Sequence, residues 1–283
     1  MEIVIQNKNG RFEIGGGNHL KAGLVEIAGL GLPASEPNTI KYAGQPGYKM
    51  LSRTDMERTI TMSLDFTGVP FDVMKIYRIL QEECELLFFL GGERRKIKGF
   101  CLNPAEAENI IYKRMYKLVL QFVCENPYFE DFSDKVISLS TRKDMFPTSF
   151  EGGLGYIDLP AVATKRTATI TVNNRGDMDV YPTITIVAEE GSETLSISNL
   201  TTGKSITINK DIASGEKVVF DVGNRTITSD LSGSLLNYLS DDTIMSEFVL
   251  QRGNNELKAT NGGNDLLTGS VTYKNQYKAV VLA

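Results

Sequence analysis

The chain has 283 residues, 41% of them hydrophobic and 23% charged, with a formal net charge of -5. That composition is ordinary for globular protein, and the acidic balance excludes a general nucleic-acid binder, which carries a basic patch or excess. At roughly 150 residues per domain the length predicts two domains, each able to bury about two thirds of its unfolded surface.

Glu2 to Gln6 and Phe12 to Ile14 read as two strands joined at Asn9-Gly10, a dipeptide suited to a hairpin turn with positive φ. Gly23 to Ile27 is a further strand. Residues 29–57 are rich in Gly, Pro, Ser and Asn, with Gly44-Gln45-Pro46-Gly47 at the middle, and predict mostly loop around a short strand at Thr39 to Tyr42. A loop of that length is usually functional or disordered, and in an assembly protein it is a candidate for contact between subunits.

Arg58 to Phe66 alternates cleanly: Ile60, Met62, Leu64 and Phe66 share one face, while Thr59, Thr61, Ser63 and Asp65 share the other. After Gly68-Val69-Pro70, the spacing of Val73, Ile76, Tyr77 and Leu80 predicts one helix from Phe71 to Glu83. Asp72 suits its positive end, whereas Glu82 and Glu83 do not suit the negative one. Leu86 to Leu90 and Lys96 to Cys101 read as strands about Gly91-Gly92, and Asn103 to Asn109 leads into a long strand.

That strand begins at Ile110 and alternates through Tyr112, Tyr116, Leu118, Leu120, Phe122 and Cys124. It stops at Asn126-Pro127, because proline gives no N–H to a ladder. Tyr128 and Phe129 follow, then Glu130, Asp131 and Asp134. Residues 136–165, with Pro147, Gly152, Gly153, Gly155 and Pro160, read as a linker or irregular lead-in.

From residue 166 to 283 short strands recur at about ten-residue spacing, the signature of a β-sandwich. They are Ala168 to Val172, Thr183 to Val187, Leu195 to Ser198, Ser205 to Ile208, Lys217 to Asp221, Ser246 to Leu250, Leu257 to Thr260 and Ser270 to Tyr273, with Tyr277 to Leu282 closing. Turn chemistry separates them, at Asn174-Arg175-Gly176-Asp177, Thr202-Gly203, Gly223-Asn224, Gly253-Asn254 and Gly262-Gly263.

Chemistry-bearing patterns are sparse. Cys84, Cys101 and Cys124 lack metal-ligand spacing and read as buried free thiols made in a reducing cytosol. His19, the single histidine, has no nucleophile or orienting partner nominated near it. Gly152-Gly153-Leu154-Gly155 lacks the Gly-Lys-Ser/Thr ending of a phosphate loop. The acid pairs Asp241-Asp242 and Glu189-Glu190 read as solvated turns, since glycosidase carboxylates must be placed across a cleft. Arg175-Gly176-Asp177 is a turn before a strand. No cationic, apolar leader follows Met1, and no apolar run approaches the roughly 18 residues of a membrane span. No metal, cofactor or membrane partner is expected.

The run Cys124-Glu125-Asn126-Pro127-Tyr128-Phe129-Glu130-Asp131 resembles the end of the N-terminal domain of siphophage distal tail proteins. The preceding order matches as well: loop, Arg-Thr-Ile-Thr strand, helix, hairpin, long strand. In the second half, Asn174-Arg175-Gly176-Asp177 before Tyr181-Pro182, Thr201-Thr202-Gly203 and Arg252-Gly253-Asn254-Asn255 resemble the galectin-like jelly roll that many such proteins carry.

The resemblance implies a mainly β, two-domain chain. Residues 1–135 would be a split-barrel-like domain with one helix that forms a homohexameric ring, single or stacked; residues 166–283 would be a jelly-roll sandwich. The boundary motif is Asn126, Pro127, Tyr128 and Phe129. Implied partners are the tail tube protein, the baseplate hub or tail-associated fibre or lysin protein, the tape-measure protein and receptor-binding proteins, with DNA passing the channel unbound. The place is the virion tail tip, after assembly in the bacterial cytoplasm, and the role is structural, without enzymatic activity. An alternative is a lectin-like sandwich binding sugar; the chain has no Trp, and Tyr238 is the candidate stacking ring.

Overall fold

The computed structural model describes residues 2–15, 21–67, 70–90, 92–104, 108–110, 115–140, 169–189, 191–262 and 267–280. The chain divides into two compact units, residues 1–132 with 276–283 and residues 133–275.

The first unit opens with β1 (Glu2–Asn7) and β2 (Gly10–Gly15), the expected hairpin, followed by β3 (Lys21–Ala28). The expected loop of residues 29–57 is instead a two-stranded ribbon, β4 (Ser35–Ile40) paired with β5 (Lys49–Asp55) and separate from every other sheet. Then come β6 (Arg58–Thr67), α1 (Pro70–Ile79), β7 (Cys84–Leu90), β8 (Glu93–Pro104), β9 (Glu108–Ile110), β10 (Met115–Cys124) and β11 (Phe129–Asp131). The main sheet runs β2-β1-β7-β8-β10-β6-β3 and curls into a half-barrel. Its concave side collects the alternating residues Ile60, Met62, Leu64, Leu118, Leu120 and Phe122 in one core with Ile3, Ile5, Ile76 and Phe88.

The helix is shorter than its periodicity predicts. It ends at Ile79, where Asn7 Nδ2 donates to the Ile79 carbonyl at 2.6 Å and Asn9 Nδ2 to the Arg78 carbonyl at 3.3 Å. Two asparagines of the β1–β2 turn thus satisfy carbonyls that a helix end leaves open. Glu82 and Glu83 lie beyond the last turn, so their conflict with the helix dipole disappears, and Arg78 occupies the favourable place.

In the second unit, β12 (Lys135–Ser140) pairs with β21 (Leu267–Tyr273), so the first residues expected as linker are an edge strand of the sandwich. β13 (Thr169–Asn174), β14 (Thr183–Ala188), β15 (Ser192–Asn199), β16 (Lys204–Ile212), β17 (Lys217–Asp221), β18 (Thr226–Ser229), β19 (Gly233–Ser234) and β20 (Gly253–Asn261) complete it. One sheet has the order β12-β21-β14-β17-β18-β19 and the other β13-β20-β15-β16. Their inward residues, among them Ile184, Ile186, Leu195, Ile197, Phe220, Leu257 and Val271, form a second core.

Two expectations here are corrected. Ser246 to Leu250 is not a strand: Met245–Glu247 is a turn of 3-10 helix, and Leu250 makes an isolated bridge to Val180. The closing strand does not join the sandwich either. It is β22 (Gln276–Tyr277), which pairs with β11 in the first unit, and Val280 beyond it is buried in that unit's core. The sandwich is therefore inserted between two neighbouring strands of the first unit.

Candidate assembly interface

The β4–β5 ribbon is an arm. Every residue from 36 to 54 is exposed, including Ile40, Tyr42, Tyr48, Met50 and Leu51. Gly44 and Gly47 adopt positive φ at its tip, as the Gly-Gln-Pro-Gly run allows. An isolated two-stranded hairpin is marginal in water, and apolar side chains on both legs add surface that a monomer gains nothing by displaying.

The root of the arm is the opposite case. Ser35 and Asp55 are its last register pair, and Ser35 Oγ donates to Asp55 Oδ1 at 2.9 Å. Tyr128 Oη donates to Asp55 Oδ2 at 3.0 Å, and Lys278 Nζ lies 3.3 Å from the same oxygen. Burial raises the Asp55 pKa, but the bonds from Ser35, Tyr128 and Lys278 outweigh it and hold the carboxyl below its ordinary value. The counterpart is Tyr128, whose phenol is pushed up to about 12 by burial and by the carboxylate it faces.

Three residues on, Arg58 is 3% exposed. Its Nε donates to the Pro127 carbonyl at 2.6 Å, Nη1 to Gly29 at 2.6 Å and to Gly31 at 2.7 Å, and Nη2 to Lys278 at 2.6 Å. The guanidinium also lies 4.6 Å from the centre of the Phe129 ring, within cation–π range. One side chain thereby binds the chain entering the arm, the Asn-Pro turn and the returning C-terminal segment. The planar fork of five donors is what lets a single residue satisfy four carbonyls.

All four boundary-motif residues meet this cluster. Asn126 Oδ1 accepts from the Tyr128 N–H at 3.1 Å and shapes the turn; Pro127 is buried and offers its carbonyl; Tyr128 reaches Asp55. Phe129 is fully buried edge-on to Phe88, with ring centres 5.6 Å apart. Arg58, Asp55 and Lys278 were not singled out from sequence. One signal existed for Arg58: it shares the inward phase of Ile60, Met62 and Leu64, an unusual place for an arginine unless something binds it.

The Cys84 and Cys124 thiols are buried and that of Cys101 is half-buried. Burial pushes the Cys84 thiol to about 11 and the Cys124 thiol to about 12, far from the reactive range. Among the described residues no group of His, Cys, Asp and Glu could hold a metal ion. His19, Glu190 and Gly152 to Gly155 lie outside the described residues, while Asp241, Asp242 and Glu189 are exposed.

In the sandwich, Tyr238 is 44% exposed and the Lys210 ammonium stands 5.4 Å from its ring centre. The Arg175-Gly176-Asp177 turn is bracketed by buried Asn174, whose Nδ2 donates to the Met178 and Leu250 carbonyls at 2.8 and 3.0 Å. Asn199 and Asn255 are also buried and bond each other, which ties the Thr201-Thr202-Gly203 turn to the Arg252-Gly253 turn.

Residues 175–277, which take in the sandwich strands from β14 to β21 but not β12 or β13, match the family described as siphovirus-type tail component, C-terminal domain. That stretch therefore carries a siphovirus-type tail-component domain. The fold agrees along the chain. The SPP1 Dit (gp 19.1) protein superposes with a TM-score of 0.64 at 14% identity, over 90% of this chain and 93% of that one. Chains of the phage P2 baseplate in its activated conformation superpose at 0.51 with Ca and 0.52 with Sr, at 11% and 12% identity, each over 99% of both chains. At such identities the likeness is one of fold. No curated protein sequence matches.

Proposed function

We propose that the first unit closes into a homohexameric ring at the tip of a long, non-contractile phage tail, with the β4–β5 arm of each subunit lying on its neighbour. The observation that carries this is the arm itself: a fully exposed ribbon bearing Ile40, Tyr42, Tyr48, Met50 and Leu51, rooted in a buried polar cluster. A protein does not stiffen the base of a hairpin and leave its apolar residues in water without a surface to receive them. The arm and its receiving surface are different parts of the same chain, so the contact is head-to-tail and closes when its rotation fits a ring.

In this reading the ring joins the tail tube above to the baseplate hub, or tail-associated fibre or lysin protein, below. Its channel passes the tape-measure protein and then DNA without binding DNA specifically. The sandwiches carry receptor-binding proteins or other baseplate parts, and no bond is made or broken by the chain's own side chains. Assembly takes place in the bacterial cytoplasm.

Native mass spectrometry and negative-stain micrographs of purified protein test this. The expected result is a six-subunit mass and a six-fold annulus, lost on replacing Tyr48 and Met50 by Glu. A strictly monomeric protein at high concentration refutes the ring.

A further inference from the structure

We propose that Asp55 is the positioning residue of the arm: its two carboxylate oxygens set the direction in which the arm leaves the body, and so whether the arm meets a neighbour at the angle that closes the ring. The inference rests on the assembly reading above and adds to it a residue that touches no neighbour.

The two oxygens are divided between arm and body. Oδ1 accepts from Ser35 Oγ on the opposite leg at 2.9 Å, and Arg53 Nε, also on the arm, is 3.8 Å away. Oδ2 faces the body, accepting from Tyr128 Oη at 3.0 Å with Lys278 Nζ at 3.3 Å. A carboxylate is planar and rigid, so turning the arm about its root pulls one oxygen off its partners while the other stays engaged. The hairpin is closed just below by the Met56 N–H on the Ala34 carbonyl at 2.8 Å. Arg58 then clamps the incoming leg at Gly29 and Gly31.

Beyond Asp55 and Ser35 the arm is exposed throughout, so its direction is decided at the root. Holding a binding element in its bound geometry removes the ordering cost at association. Loss of the anchor should therefore weaken assembly without removing any contact between subunits.

The test uses the full chain in a Cys101→Ser background, labelled with a fluorophore at Gln45→Cys on the arm tip. Tyr128→Phe deletes one hydroxyl from the anchor and Asp55→Ala deletes the carboxylate. Time-resolved anisotropy at monomeric dilution reads the arm; mass photometry over a concentration series reads assembly. In both variants the tip label should gain segmental freedom, and the concentration needed for half-assembly should rise by at least about tenfold. The far-UV spectrum and the sandwich's thermal transition should stay as in wild type.

A merely structural Asp55 would lower the first unit's melting temperature and leave tip anisotropy unchanged below it; that result overturns the proposal. So does a loosened arm with assembly unaffected. If the wild type forms no ring, the assembly reading fails and anisotropy alone decides the anchor: looser in both variants upholds it, unchanged overturns it.

Discussion

The sharpest consequence of the cluster concerns Arg58→Met, which keeps length and apolar stem but removes the fork. Four carbonyls at 2.6–2.7 Å lose their donor: Gly29, Gly31, Pro127 and Lys278. Each bond from a charged donor is worth about 1.5–3 kcal/mol, and a buried carbonyl left open costs about 1–3. Against this stands the cost of burying the guanidinium, which lowers the Arg58 pKa, and methionine does not incur it.

The net expectation is about 3–5 kcal/mol of destabilisation, the range for removing one partner of a buried charged arrangement. For a unit of this size that is a fall in melting temperature of roughly 10–15 °C. Calorimetry of the full chain reads it, because only the first unit's transition should move. Arg58→Lys should recover a minor share, since a point ammonium has three donors and no fork. A first transition shifted by less than about 3 °C in Arg58→Met, or full recovery in Arg58→Lys, would refute the reasoning.

Truncation after Asn275 removes the Lys278 carbonyl and ammonium, the β11–β22 pairing and buried Val280; it should destabilise the first unit by roughly 3–5 kcal/mol and spare the sandwich, as two-transition calorimetry will show. Asp55 and buried Glu216, which accepts from Ser229, Ser232 and the Ala213 N–H, both titrate below the ordinary carboxylate value because those bonds outweigh burial. Their contribution is present above the unfolded carboxylate range near pH 4 and is lost as pH falls through the lower folded values. Denaturant midpoints should therefore drop below pH 4 less steeply in Asp55→Asn and in Glu216→Gln than in wild type. Gly269→Ala sets a Cβ 2.2 Å from the Thr185 carbonyl oxygen, so β14 and β21 must part, and the sandwich transition should fall by about 1–3 kcal/mol in the same experiment.

Alternation over Arg58–Thr67 and Met115–Cys124 was legible because every second residue faces one core, and the two strands are indeed paired neighbours. The helix was legible in kind but not in length, since its end depends on Asn7 and Asn9, some seventy residues away. The arm was not legible: a ribbon exposed on all sides has no apolar period, and its Gly- and Pro-rich composition matches a loop. The boundary motif was visible as a string of residues, but not as half of a cluster whose other half begins at Asp55.

Local pattern alone determined the mainly β character, the helix that starts at Pro70 and the turns that asparagine and glycine build, because each depends on neighbours a few positions apart. Tertiary structure alone decided that the chain's end returns to its beginning, that Arg58 binds backbone 29, 69 and 220 residues distant, and that an apparent loop is an arm on a fixed root. Those outcomes depend on long-range hydrogen bonds between carbonyls and one inward-facing cation, and a carbonyl has no signature in sequence.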